Sequence, residues 1–133
     1  MRKNDSPDIV VIEDHPEYLD YLATLLRRAG YTVATFTTGT AALRYIEHNP
    51  VSAVITDVFM PEMDGFEVLK EVRRRFPKLP IIAVSSCGAC MPICLEAMQN
   101  LGASATFAKP VDADALLIAI ARLIHGPDRP ASP

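Results

Sequence analysis

Val54-Ile55-Thr56-Asp57-Val58-Phe59-Met60-Pro61-Glu62-Met63-Asp64-Gly65, residues 54–65, carries a short apolar run into a carboxylate and then into a turn leading to a helical pattern. Three other runs in the chain stop in a comparable way. Ile9-Val10-Val11-Ile12 meets Glu13-Asp14, Ile81-Ile82-Ala83-Val84 meets Ser85-Ser86, and Thr106-Phe107-Ala108 meets Lys109-Pro110. As parallel strands of one sheet, these runs would bring three carboxylates, a hydroxyl and an ammonium group to a single edge. In open α/β sheets the carboxyl ends of the strands are where ligands bind.

The segments between the runs support that arrangement. Pro16 suits a first helical turn, Leu19, Leu22, Leu26 and Ala29 recur at helical spacing, and Gly30 is placed to end the helix. Tyr31 to Phe36 is β-branched and aromatic, a strand, and Thr40 to His48 reads as a helix packing Ala42, Leu43 and Ile46. Ser52 to Thr56 is the third strand, and Asp64 to Phe76 is a helix with Phe66, Leu69, Val72 and Phe76 on one face. Pro80 opens the fourth strand, Pro92 to Leu101 forms the fourth helix, and Ala105 to Ala108 is the fifth strand. Asp112 or Asp114 caps a last helix running through Leu123. The expected fold is five βα units, a doubly wound α/β sheet whose apolar strands are covered on both faces. The expected boundaries are an N-terminal tail over 1–7, one domain over 8–125 and a C-terminal tail over 126–133.

Composition narrows the function classes. The chain has 133 residues, half of them apolar, and a net charge of -3, which suits one domain with a proper core. That charge gives no electrostatic footprint for nucleic acid, and Arg73-Arg74-Arg75 reads as the solvated end of a helix. No apolar stretch reaches a membrane span and residues 1–8 lack a signal-peptide core, so the expected location is cytoplasmic. Three cysteines, an odd number, argue against a disulfide framework.

The strand-end residues carry the chemistry. Glu13 and Asp14 beside a third carboxylate are costly to bury without a cation, and magnesium, or manganese, accepts one or two carboxylates plus phosphate. Asp14 could instead cap the first helix, or do both. Asp57 is the candidate nucleophile, since an aspartate can form an acyl phosphate. Lys109 would act as a point charge on the phosphoryl oxygens, and Ser85 would donate a hydrogen bond to them.

These features resemble the receiver domain of two-component response regulators: the Glu13-Asp14 pair, Asp57 in Asp-x-x-Met-Pro-x-Met-Asp-Gly, Ser85 after the fourth strand, and Lys109-Pro110. They occur in that family's order and spacing, over roughly residues 8–125. The resemblance implies a flavodoxin-like (βα)5 sheet of order 2-1-3-4-5. It also implies that Asp57 accepts a phosphoryl group from a sensor histidine kinase or a histidine phosphotransfer protein. Glu13, Asp14, Asp57 and the backbone carbonyl of Phe59 would hold the metal, and Ser85 and Lys109 would grip the phosphoryl group. Such a domain catalyses only its own phosphorylation and dephosphorylation. With no room for an output domain, it would act as a single-domain regulator through protein contacts. Docking to a downstream target, or homodimerisation, is expected on the face of the fourth helix, fifth strand and fifth helix, where Leu116, Leu117, Ile118, Ile120, Leu123 and Ile124 exceed one buried stripe.

Three departures from the family pattern bear on tuning. The position three before Lys109, commonly an aromatic switch, is Thr106, and Phe107 points to the opposite face of its strand. Activation is therefore expected to move the loop after Ser85 rather than to swing an aromatic ring. Phe59 stands where its side chain can cover the approach of hydrolytic water. Cys87, Cys90 and Cys94 crowd one segment, spaced Cys-x2-Cys-x3-Cys; with His15 they could bind zinc or an iron–sulfur cluster, but small buried apolar residues is the stronger reading.

Other classes fit less well. A haloacid-dehalogenase-type phosphatase would want a second aspartate at Phe59, and a nucleotide- or flavin-binding domain would want a glycine-rich turn after the first strand. A receiver-like interaction module that works without phosphorylation, responsive to redox state or metal through Cys87, Cys90 and Cys94, is the alternative reading; it has no need of Asp57, the acidic pair or Lys109.

Overall fold

The computed structural model describes residues 8–60, 63–85 and 91–126, without the side chains of Met91, Pro92, Cys94 and Leu95. Strands β1 (Asp8–Ile12), β2 (Thr32–Phe36), β3 (Ala53–Asp57), β4 (Ile81–Ser85) and β5 (Ala105–Ala108) alternate with helices α1 (Pro16–Arg28), α2 (Gly39–His48), α3 (Gly65–Arg75), α4 (Met91–Asn100) and α5 (Ala113–His125). The strands form one sheet in the order β2-β1-β3-β4-β5, every neighbouring pair parallel. Fold class and strand order agree with the sequence-based expectation.

Strand alternation divides the core into two layers. Val10, Ile12, Val54, Ile81 and Ala83 pack with Leu43 and Ile46 of α2, Leu69 and Val72 of α3, and Met98 of α4. Ile9, Val11, Ile55, Ile82 and Val84 face the other way, onto Leu22 and Leu26 of α1 and Leu116 and Ile120 of α5. Neighbouring side chains of a strand point to opposite faces, so an unbroken apolar run feeds both layers. Burying one such Leu or Ile is worth about 1.5–3 kcal/mol, and the ends of these well-anchored strands make a firm platform for a site.

Boundaries follow local chemistry. Thr38 caps α2, Asp64 caps α3 and Asp112 caps α5, each accepting a backbone N–H three residues on. Asp112 rather than Asp114 is thus the cap of α5. The N-cap of α1 is His15, not Asp14, and its side chain makes no cap hydrogen bond. The helix ends at Arg28, two residues before Gly30, whose φ of +102° takes the left-handed region that glycine tolerates.

Arg73 departs from its expected role as a solvated helix-end charge. It donates to the carbonyls of Gly102 (2.9 Å) and Leu79 (2.5 Å) and to the Ser104 hydroxyl (3.3 Å). Arg73 therefore ties the end of α3 to the connections flanking β4 and β5. Arg74 pairs with Glu71, and Arg75 pairs with Glu47 and Glu71.

Candidate phosphoryl-transfer site

The register brings the strand-end residues level. Ile12 pairs with Thr56, Asp57 with Val84 and Ser85 with Ala108, so Glu13, Asp57, Ser85 and Lys109 lie at one edge. The ladder runs one residue beyond the strands: Glu13 N–H donates to Phe36 O (3.0 Å), Val58 N–H to Val84 O (3.0 Å) and Lys109 N–H to Ser85 O (2.8 Å). Backbone hydrogen bonds thus fix the main chain beneath each functional side chain.

Glu13, Asp57 and Ser85 are buried, and Asp14 is partly exposed. Lys109 Nζ lies 2.6 Å from Glu13 Oε1 and 3.4 Å from Asp57 Oδ1. One ammonium therefore spans two carboxylates, with the closer contact to Glu13. The other Glu13 oxygen, Oε2, accepts the His15 backbone N–H at 3.1 Å and lies 3.2 Å from His15 Nδ1. Asp14 Oδ1 is buried without a hydrogen-bond partner.

The charge balance is uneven. Burial, and then the neighbouring Glu13 charge, push the Asp57 carboxyl up to about 6, against the opposing pull of Lys109. Burial draws the Lys109 ammonium down, but the Glu13 hydrogen bond and the Asp57 charge outweigh it, so its pKa is raised overall. Three carboxylates stand at this edge with one ammonium, which pairs with only Glu13 and Asp57, and a further cation would relieve the excess. Ligand atoms from Glu13, Asp14, His15 and Asp57 all lie within 4.8 Å of one another. The orphaned Asp14 oxygen and the mainly carboxylate donor set fit a hard divalent ion.

Two neighbours of the site were not anticipated from sequence. The Tyr18 ring lies 4.8 Å from Lys109 Nζ, a cation–π distance, and the Tyr18 hydroxyl accepts the Val111 N–H at 3.0 Å. Tyr18 thus braces the Lys109-Pro110 turn from α1. Gly65 is the second: a Cβ there would stand 2.5 Å from Asp57 O and 2.8 Å from Val58 Cα. Only glycine lets α3 start against the backbone that carries Asp57. Tyr18 offered no signal beyond an aromatic in a first helical turn, whereas Gly65 closes the very turn that begins at Asp57.

The tuning residues divide. Phe59 is 47% exposed beside Asp57, its ring edge-on to Phe66 at 6.5 Å between centroids. Phe107 packs against the α1/α5 core layer, as expected, and Thr106 is partly buried. Cys87 and Cys90 lie outside the described residues, as does the side chain of Cys94, which stands in α4. Among the described residues no helix is long and apolar enough to cross a membrane.

Comparison with known proteins agrees with the geometry. The family described as response regulator receiver domain matches residues 9–121. Transcriptional regulatory protein GlrR of Escherichia coli is 35% identical over 112 residues, covering 84% of this chain and 25% of that protein. Sensor histidine kinase RcsC of Salmonella typhi is 34% identical over 115 residues, 85% of this chain and 12% of that protein. The chain spans about a quarter of the length of the first of these relatives and less of the second. Among solved structures, a response regulator receiver domain protein from Clostridium thermocellum superposes with a TM-score of 0.81 at 33% identity, covering 90% of this chain and 94% of that one. A putative response regulator from Chloroflexus aurantiacus gives 0.84 at 28% identity, covering 91% and 99%. With the acidic edge, the strand order and these matches in agreement, the chain belongs to the response regulator receiver domain family.

Proposed function

We propose that the phosphoacceptor role of this family rests here on Asp57, which takes a phosphoryl group from a phosphohistidine on a sensor histidine kinase or histidine phosphotransfer protein. The observation that carries this reading is a buried carboxylate at the sheet edge, 3.4 Å from Lys109 Nζ and grouped with Glu13 and Asp14. The ionised Asp57 oxygen attacks phosphorus as the bond to the donor nitrogen breaks. Lys109, already shared between Glu13 and Asp57, lies close enough to follow charge onto the phosphoryl oxygens. Ser85, fixed at the end of β4, would donate its hydroxyl hydrogen to one of them. Magnesium or manganese, held by Glu13, Asp14, Asp57 and the Phe59 backbone carbonyl, would neutralise charge on the phosphoryl group when bound. The domain acts as a switch rather than an enzyme on a separate substrate, since the group transferred ends on its own side chain.

Output would pass through protein contacts at the β5 edge, to a downstream target or a second copy of the chain. Ile93 and Leu101 of the α4 region are 74% and 43% exposed and Ile118 of α5 is 41% exposed. The phosphoryl group would favour one of two conformations through its differential contacts. Backbone NMR with magnesium and a beryllofluoride mimic tests this reading. Shift changes at Ser85, at Lys109 and along α4 are expected, with none in Asp57→Asn. Changes confined to the immediate neighbours of Asp57 would contradict the switch, and no binding would contradict the site.

A further inference from the structure

We propose that His15 contributes its imidazole Nδ1 as a further protein ligand, beside Glu13, Asp14, Asp57 and the Phe59 carbonyl, to the cation of this site, biasing it towards a first-row transition-metal dication over magnesium. The inference rests on the reading of Glu13, Asp14 and Asp57 as a cation site, and deepens it. Six-coordinate ions of this size hold their donors at about 2.1 Å, so adjacent donors stand about 3.0 Å apart and opposite ones about 4.2 Å. His15 Nδ1 is 3.2 Å from Glu13 Oε2 and 3.5 Å from Asp14 Oδ1. These are the spacings of adjacent corners of such a shell, slightly expanded. The 4.8 Å limit on the whole group needs only a small contraction to close around one ion.

The surroundings of His15 agree with this role. Its ring is 75% exposed and makes no cap hydrogen bond to α1. Its backbone N–H donates to the same Glu13 oxygen that its ring approaches, so Glu13 orients both. The nearest Asp14 oxygen is the buried one that has no hydrogen-bond partner. With its ring proton on Nε2, a neutral imidazole presents a lone pair at Nδ1. A nitrogen donor among carboxylates favours transition-metal dications, whereas magnesium prefers an all-oxygen shell.

Titration of the full chain and of His15→Ala with Mn2+ and with Mg2+ tests the assignment, because the alanine removes the donor without removing a helix cap. Pulsed electron paramagnetic resonance of bound Mn2+ is expected to show a directly bonded nitrogen coupling in the wild type and none in His15→Ala. The preference for Mn2+ over Mg2+ should fall about tenfold or more in the variant. Manganese bound without nitrogen coupling, or an unchanged preference in the variant, would overturn the role of His15 and leave the carboxylate site standing. Failure of the wild type to bind either ion would overturn both.

Discussion

Burial beside Glu13 makes Asp57 a carboxyl with a folded-state pKa of about 6 against an ordinary value of 3.8, and the sign of that shift sets a pH dependence. A raised carboxyl binds its proton more tightly in the folded chain, so it favours folding on the acid side. That contribution is complete below about pH 4 and is lost as pH rises through about 6, a swing of at most about 3 kcal/mol and smaller once solvent screening is counted. In chelator, Asp57→Asn should therefore be more stable than wild type by up to that amount at neutral pH, with the gap closing between pH 6 and 4. Urea unfolding across the range checks this, and a gap independent of pH would contradict it. Phe59 is exposed two residues after Asp57; on the reading that its ring shields a phosphorylated Asp57 from water, Phe59→Asn should shorten the half-life of the phosphorylated protein, and an unchanged half-life rejects the shield. Glu13, Asp57, Ser85 and Lys109 are legible in sequence because each polar residue interrupts or ends an apolar run. Their mutual arrangement is not: nothing in the residue order says that Lys109 sits closer to Glu13 than to Asp57, or that Tyr18 lies beside it.

At the scale of elements, the start of α3 packs against the end of β3 and fixes where Asp57 sits. Gly65→Ala would gain helix propensity but drive a methyl group into Asp57 O and Val58 Cα, two backbone atoms that cannot step aside. The clash should win, costing about 2 kcal/mol and slowing phosphorylation together; chemical denaturation and phosphorylation kinetics check the pair, and a stabilised, fully active variant would contradict it. The helices and strands are legible because their periodicities differ and Thr38, Asp64 and Asp112 supply polar caps to three of the helices, with bounds moving by only a residue or two. Asp112 and Asp114 are both good caps by type, and only the backbone decides for Asp112. Arg73 is hidden for a related reason: a triple-arginine helix end looks the same in sequence whether its first guanidinium meets water or three oxygens from the connections before β4 and β5.

Over the whole molecule, the α/β architecture gathers residues 96 positions apart, Glu13 and Lys109, into one ion pair at the edge where ligands collect. That convergence is readable in sequence only once the four runs are taken as one parallel sheet, since local chemistry alone leaves a turn serine, a lysine at a strand exit and an acidic pair. The central claim is that this edge transfers a phosphoryl group to Asp57. Intact-mass spectrometry after incubation with magnesium and a small-molecule phosphodonor tests it most directly, with Asp57→Asn and a magnesium-free sample as controls. The account predicts one added phosphoryl group in the wild type and none in either control. An unmodified wild-type protein, or addition that persists in Asp57→Asn, would contradict it.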